Sequence, residues 1–568
     1  MPKHFRLEKL VGSLFSACFL LCFLGCFLGW TLGMNASVAF AQTRTLAQAS
    51  AVESSPAAEA SRQLENAMWE KILAAPSLSG YQRASALVQI YASFSKSRLR
   101  SEDEAVVLVA MAVLHSYDRG LRYVALPLIR RAVLRRPNLV KEKDILPVWK
   151  IFVQQFGSRS PRDEITLAGI AAALDGSVLA ASTDSRFAYF RGSSYFAAGN
   201  SVESLAWLSK VGVDSFDYRR TKFIEGANYL AQRKHAEAIT AFQIAVAMDA
   251  TDAERQAGMS KFEIATLRER SVLQIARLLY EEGRFDESLA YYRTLRQDSL
   301  LFYESLSEQS WAFFMAGFPN RAMGAAYAAQ SSFFAEMFNP DVRFLDAVVS
   351  YWLCDFENAK AKISKFIAHT QDEGDILRGL VLRYGNFPAQ ESLERYSRIA
   401  ENAAAGVSPQ NIGLGPKVLA TLLRQVGVGD YLSDLEKTQN ERLKFKTDKR
   451  YPGGKDRIDY ALSEFEKIMR LSIGYQVKNR LQSYAKILDQ TLMRMRFLHL
   501  EVLTATKDVV VGKGRSVSGN EFGTREQEFA DAGQNVLRNW IQDKNEYWFD
   551  ELGHYVFREQ SKCQDYTP

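Results

Sequence analysis

"EEGRFDESLAYYRTL", residues 281–295, sets a glycine two residues before an aromatic, a small residue three further on and a second aromatic four beyond that. Whether the spacing recurs decides the fold. If it does, the chain is an array of helix pairs that must stack, because one pair cannot bury its apolar face alone. In a 34-residue frame over 269–302, Ala276 falls at position 8, Gly283 at 15, Phe285 at 17, Ser288 at 20 and Tyr292 at 24. The adjoining frame, 303–336, puts Ser310 at 8, Gly317 at 15 and Ala322 at 20. Upstream, 185–218 has Gly192 at 8, Tyr195 at 11 and Gly199 at 15. The stretch 219–252 has Gly226 at 8, Tyr229 at 11, Ala238 at 20, Phe242 at 24 and Ala245 at 27. A fifth unit, 340–373, has Ala347 at 8, Phe356 at 17 and Ala359 at 20.

The residue types have a physical reason. Positions 8 and 20 lie where the two helices of a pair cross, and only Gly, Ala or Ser lets the backbones approach. Aromatics at 11, 17 and 24 fill the space around that crossing. Glycine at 15 ends the first helix in a left-handed turn.

These residues resemble the tetratricopeptide-repeat family, most clearly in 219–252. The resemblance covers 185–373 and, more faintly, 63–180. It departs from the family pattern at position 4, where Ala188, Lys222, Val272, Leu306 and Arg343 replace the usual tryptophan, and the usual proline at 32 is missing. The resemblance implies an all-α fold, a right-handed α-solenoid whose first helices line a concave groove for protein partners; the residue inventory itself gives no cofactor and no metal. The resemblance also implies groove residues at positions 2, 5, 9, 12 and 13, which singles out Tyr189 and Phe223, with Asn228 close by; ordinary packing between repeats is the competing reading of all three.

The chain has 568 residues, 47% of them hydrophobic, and only 14 prolines, which suits a long helical protein. Its formal charge of +6 is mild for this length and does not support a dedicated nucleic-acid binder. Residues 1–41 read as a secretory signal peptide: basic Lys3, Arg6 and Lys9, a long apolar run, then Ala39 and Ala41 in a cleavage pattern. An uncleaved apolar anchor, or lipid on Cys26, is the alternative, and either would leave the protein membrane-associated. Cleavage removes Cys18, Cys22 and Cys26 and leaves Cys354 and Cys563, as one disulfide or as two thiols. Residues 42–62 read as a flexible linker and 63–180 as degenerate helical repeats capping the array.

Beyond 373 the repeat signal fades. A glycine- and proline-bearing helical junction covers 374–430, and 431–568 reads as a C-terminal helical hairpin or coiled coil with an aromatic tail helix. Two helices are expected over 431–508, broken at Tyr451–Lys455, the second running from about 456 to 508. Its apolar positions, Ile458 to Leu498, recur in steps of threes and fours. Such a seam offers a route to oligomers unless the aromatic segment 536–557 folds back and covers it. In that segment Trp540, Tyr547 and Leu552 staple the tail to the long helix, or Trp540, Tyr547, Trp548 and Tyr555 form a partner-binding helix.

Nothing converges on catalysis. His115, His235, His369, His499 and His554 have no metal-ligand spacing, and "GKGRS" at 512–516 lacks the spacing of a phosphate loop. The expectation is a non-enzymatic, exported scaffold binding proteins of the cell envelope, in the periplasm. The competing readings are a structural subunit of an envelope machine and a cell-wall glycan binder.

Overall fold

The computed structural model describes residues 185–248, 254, 261–424, 428–447, 455–510, 547–557 and 559–563. The leader, the linker, the degenerate repeats, the 512–516 loop and Trp540 lie outside the described residues. Among the described residues the regular structure is all-helical, with no strand.

Ten helices come in five pairs: α1 (Ser185–Ala197) and α2 (Ser201–Leu208), α3 (Tyr218–Ala231) and α4 (His235–Ala247), α5 (Lys261–Glu281) and α6 (Phe285–Tyr292), α7 (Phe302–Met315) and α8 (Pro319–Ala329), α9 (Pro340–Trp352) and α10 (Phe356–Gly385). All five pairs turn in the same way. Position 15 has a left-handed backbone each time, at Gly199 (φ 76°), Arg233 (60°), Gly283 (76°), Gly317 (89°) and Cys354 (59°). The next residue donates its N–H to a carbonyl five residues back: Asn200 to Tyr195, Lys234 to Tyr229, Arg284 to Leu279, Phe318 to Phe313 and Asp355 to Ser350, each at 2.9 Å. That bond closes a Schellman turn and satisfies a helix-end carbonyl that would otherwise be orphaned.

Positions 8 and 20 are the buried crossings. Ala238, Ala276, Ser288, Ser310, Ala322, Ala347 and Ala359 are fully buried. Two position-20 serines bind the position-8 carbonyl opposite: Ser204 Oγ donates to Gly192 O at 2.8 Å, and Ser288 Oγ to Ala276 O at 2.7 Å. A Cβ on Gly226 would lie 2.7 Å from the Phe242 ring, whereas one on Gly283 meets nothing within 4 Å. Gly226→Leu is therefore expected to cost about 1–3 kcal/mol or more through overpacking. Gly283→Ala is expected to cost only about 1 kcal/mol, through its left-handed backbone. Urea unfolding of the two variants checks this; equal losses would contradict the crossing.

The second half is built on a long helix. α11 (Ala389–Ala404), the short α12 (Pro409–Ile412), α13 (Pro416–Arg424) and α14 (Val428–Thr447) precede α15, which runs from Lys455 to Val510 over 56 residues. α14 and α15 are antiparallel: Thr438 lies 3.9 Å from Met469 Sδ, and Arg442 grips the earlier Asp459 at 2.9 Å and Glu466 at 2.9 Å. Residues 448–454, where the break is expected, are outside the described residues.

Two expectations are corrected here. The boundary placed at 373/374 falls inside α10, an unbroken helix of 30 residues. Its Gly374 is not a terminator: it is buried in mid-helix, facing Leu488 and Leu492 of α15, where a Cβ would make ordinary contact at 3.4 Å. Nor do the described tail residues supply the main cover of the α15 seam. Phe465, Met469, Ile473, Val477, Leu481 and Tyr484 pack with α10, α11, α13 and α14. Leu488, Leu492, Met495, Leu498 and Val502 pack into the core of α5–α10. Helices upstream in sequence already supply the apolar cover, and the tail is left free to bind elsewhere.

Candidate functional site: the tail-bearing face of α7, α8 and α9

Among the described residues no three His, Cys, Asp or Glu side chains cluster as a metal site. His235 faces Glu282 at 3.7 Å, and His369 Nδ1 lies 2.7 Å from the Lys365 carbonyl of its own helix. One buried polar group joins α5, α6 and α7. Arg277 Nε donates to Glu308 Oε2 at 2.9 Å, its Nη2 reaches Glu304, and Tyr292 OH donates to Glu308 at 2.9 Å. Burial pushes the Glu308 carboxyl above its ordinary range, with Arg277 opposing. Both carboxylate oxygens are bound by neighbours in the fold, so this group ties helices together.

Residues 547–563 form the least ordinary feature. They are not a helix: one 3-10 turn, Phe549–Glu551, interrupts an otherwise non-helical run. The run crosses the face made by α7, α8 and the start of α9. Leu552 and Tyr555 are buried there with Phe302, Leu306, Ala326, Ala329 and Val342. Tyr547 stacks on Tyr327 with ring centres 4.6 Å apart, and Tyr555 meets the same ring edge-on at 5.4 Å.

Main-chain groups make much of the grip. Gln297 Nε2 donates to the Leu552 carbonyl at 3.2 Å. Asn320 binds residue 559 on both sides, donating Nδ2 to its carbonyl at 3.2 Å and accepting its N–H at 3.0 Å. The Asn320 carbonyl accepts from Phe557 N at 3.2 Å, and the Leu353 carbonyl from Lys562 N at 2.8 Å. The Lys562 ammonium lies 2.8 Å from Asp355. The run ends in a Cys354–Cys563 disulfide, which settles the pairing that the sequence left open. At the closest point the tail touches α8 backbone: a Cβ on Gly324 would lie 1.7 Å from the Tyr555 carbonyl oxygen.

The expected site residues are thereby sorted. Tyr189 and Phe223 are buried, Tyr189 edge-on to Phe190 at 5.1 Å and Phe223 edge-on to Phe242 at 5.5 Å. Asn228 is fully buried and donates to Ser204 Oγ at 2.9 Å. All three are corrected from groove contacts to packing, because the helix crossing draws their side chains inward. Tyr547 and Tyr555 are anchors against α8, not against the long helix. Of the expected tail residues that are described, Trp548 alone is exposed, at 47%, beside Phe549 at 49% and Phe333 at 45%. The Phe333 and Phe549 rings are 5.6 Å apart. Sequence reasoning missed Gln297, Asn320 and Gly324; only a glycine in the middle of a helical pattern hinted at a close approach.

No protein-family model matches the chain, and no curated protein shows significant similarity to it.

Proposed function

We propose that this chain is a non-enzymatic, exported adaptor of the tetratricopeptide-repeat kind, which binds protein partners of the cell envelope. The recurring left-handed turn at position 15 and the small-residue crossings at 8 and 20 support the repeat reading, with a right-handed superhelix as its geometry. The antiparallel α14–α15 pair supports a coiled-coil-like arm. The Cys354–Cys563 disulfide supports export to the periplasm, free or membrane-anchored, since such bonds persist in oxidising compartments.

One observation carries the adaptor reading: Phe333, Trp548 and Phe549 sit together, half exposed, on a base held by buried anchors and a disulfide. Aromatic rings on a rigid support dominate binding energies because little side-chain entropy is lost when they dock. The test is cross-linking capture from the native envelope with wild type and with Phe333→Ser/Trp548→Ser/Phe549→Ser. The variant should keep its circular dichroism and lose affinity for its partner by about 30-fold or more. Undiminished capture of every partner would overturn the reading.

A second reading, a structural subunit of an envelope assembly, is favoured by α15. Its Met493, Phe497 and Leu500 lie on one helical stripe and are 52%, 55% and 60% exposed. If that stripe is the working surface, Phe497→Asp should abolish self-association in size-exclusion runs and leave partner capture by the aromatic patch intact.

A further inference from the structure

The tail is bound as a ligand would be. Residues 547–563 reach α7–α9 from more than two hundred positions away in sequence, lie on a prepared surface and are gripped by main-chain hydrogen bonds. Nothing in those contacts requires tail and face to belong to the same chain. The connection 511–546 could span on the order of 120 Å when extended, so its length imposes no obligation to close at home.

We propose that the α7–α9 face also takes this tail in trans: the C-terminal segment of a second copy docks across it, and the Cys354–Cys563 bond then joins two chains. The occupant is a second copy because the face is cut to this sequence. Gly324 has no Cβ where the Tyr555 carbonyl passes, the Asn320 amide brackets residue 559, and Asp355 meets Lys562. Cys354 stands where position 15 would favour glycine, at φ 59°, and its partner is residue 563 of the tail. Every copy of the chain carries the whole set. The contacts are identical in cis and in trans, so the two states differ mainly by the effective concentration of the attached tail, and exchange rises with chain concentration. Two reciprocal exchanges close a symmetric pair.

The chemistry balances with a small-molecule disulfide as oxidant. Two thiols lose two protons and two electrons, one S–S bond forms between chains, and glutathione disulfide is reduced to two glutathione molecules.

The test uses the full chain with Cys18, Cys22 and Cys26 changed to Ser, in two versions. One carries Cys354→Ser and can offer only a tail thiol; the other carries Cys563→Ser and can offer only a face thiol. Neither can close the bond in cis. Mixed under glutathione disulfide, they should give a species of twice the 64.0 kDa chain mass on non-reducing gels, containing a Cys354–Cys563 cross-linked peptide. Gly324→Ala supplies a directional control, because alanine favours the helix and blocks only the tail. On the Cys563→Ser chain, whose face is used, it should cut the yield about 10-fold or more, by the loss of a bound-tail effective concentration. On the Cys354→Ser chain, whose face otherwise holds its own thiol-bearing tail in cis, it should release that tail and raise the yield. No linked species, or a yield indifferent to which chain carries Gly324→Ala, overturns the proposal. The test is independent of the adaptor reading, which stands or falls on the aromatic patch.

Discussion

Arg277→Ala is expected to lower the unfolding free energy by about 3–5 kcal/mol near neutral pH, and by less in mild acid. The guanidinium is almost fully buried and holds Glu308, itself 15% exposed, together with the more open Glu304. Removing it leaves a buried carboxylate with only the Tyr292 hydroxyl for company. Desolvation already raises the Glu308 pKa against the pull of Arg277, so the variant raises it further. A carboxyl whose folded pKa is raised contributes stability that is present in acid and lost as pH rises through that folded value. The variant should therefore regain stability between pH 8 and pH 5, the direction in which Glu308 takes up its proton. Urea unfolding at the two pH values checks this. A loss of the same size at both would mean that Glu308 stays solvated. Arg277→Met combined with Glu308→Leu should recover much of the loss, since neither charge is then stranded.

Gly474→Val should cost about 3 kcal/mol, the upper part of the usual overpacking range, and Gly474→Ala about half as much. In an open helix the alanine change would add about 1 kcal/mol of stability. Here the sign reverses, because α11 crosses α15 at this point and a Cβ would lie 1.9 Å from the Leu393 carbonyl oxygen. A carbonyl of helix backbone cannot swing aside as a side-chain tip can. Gly379 of α10 is the internal control: it is exposed and a Cβ there meets nothing within 4 Å, so Gly379→Ala should stabilise by about 0.5–1 kcal/mol. Thermal unfolding of the pair decides the matter. Two stabilised variants would remove the close crossing of α11 on α15, and with it the account of what buries the seam.

The candidate site was only half legible in the residues. The aromatic density of 546–557 marked the segment, and Trp548 is exposed. Its conformation and its seat were not readable. A stretch with helical spacing still becomes a strap when Tyr327, Gln297 and Asn320, far away in the chain, offer a better arrangement of rings and hydrogen bonds than an isolated helix has. The groove assignments failed for a related reason. Tyr189 and Phe223 occupy positions that a concave face would expose, yet the local crossing buries both rings.

The sequence by itself determined the paired helices, the left-handed turn at position 15 that ends the first of each pair, and the long helix α15, whose ends at Lys455 and Val510 lie within two residues of the expected 456 and 508. These are short-range matters: a left-handed residue, a small residue at a crossing or a run of threes and fours acts on neighbours a turn or two away. Only the tertiary structure decided that α10 runs through Gly374, that α10, α11 and α14 cover the long seam, and that Cys354 at a turn receives Cys563 of the tail. Each of those depends on which apolar surfaces find one another across long stretches of chain. Hydrophobic burial has no direction along the sequence, so spacing can say that a face must be covered without saying by what.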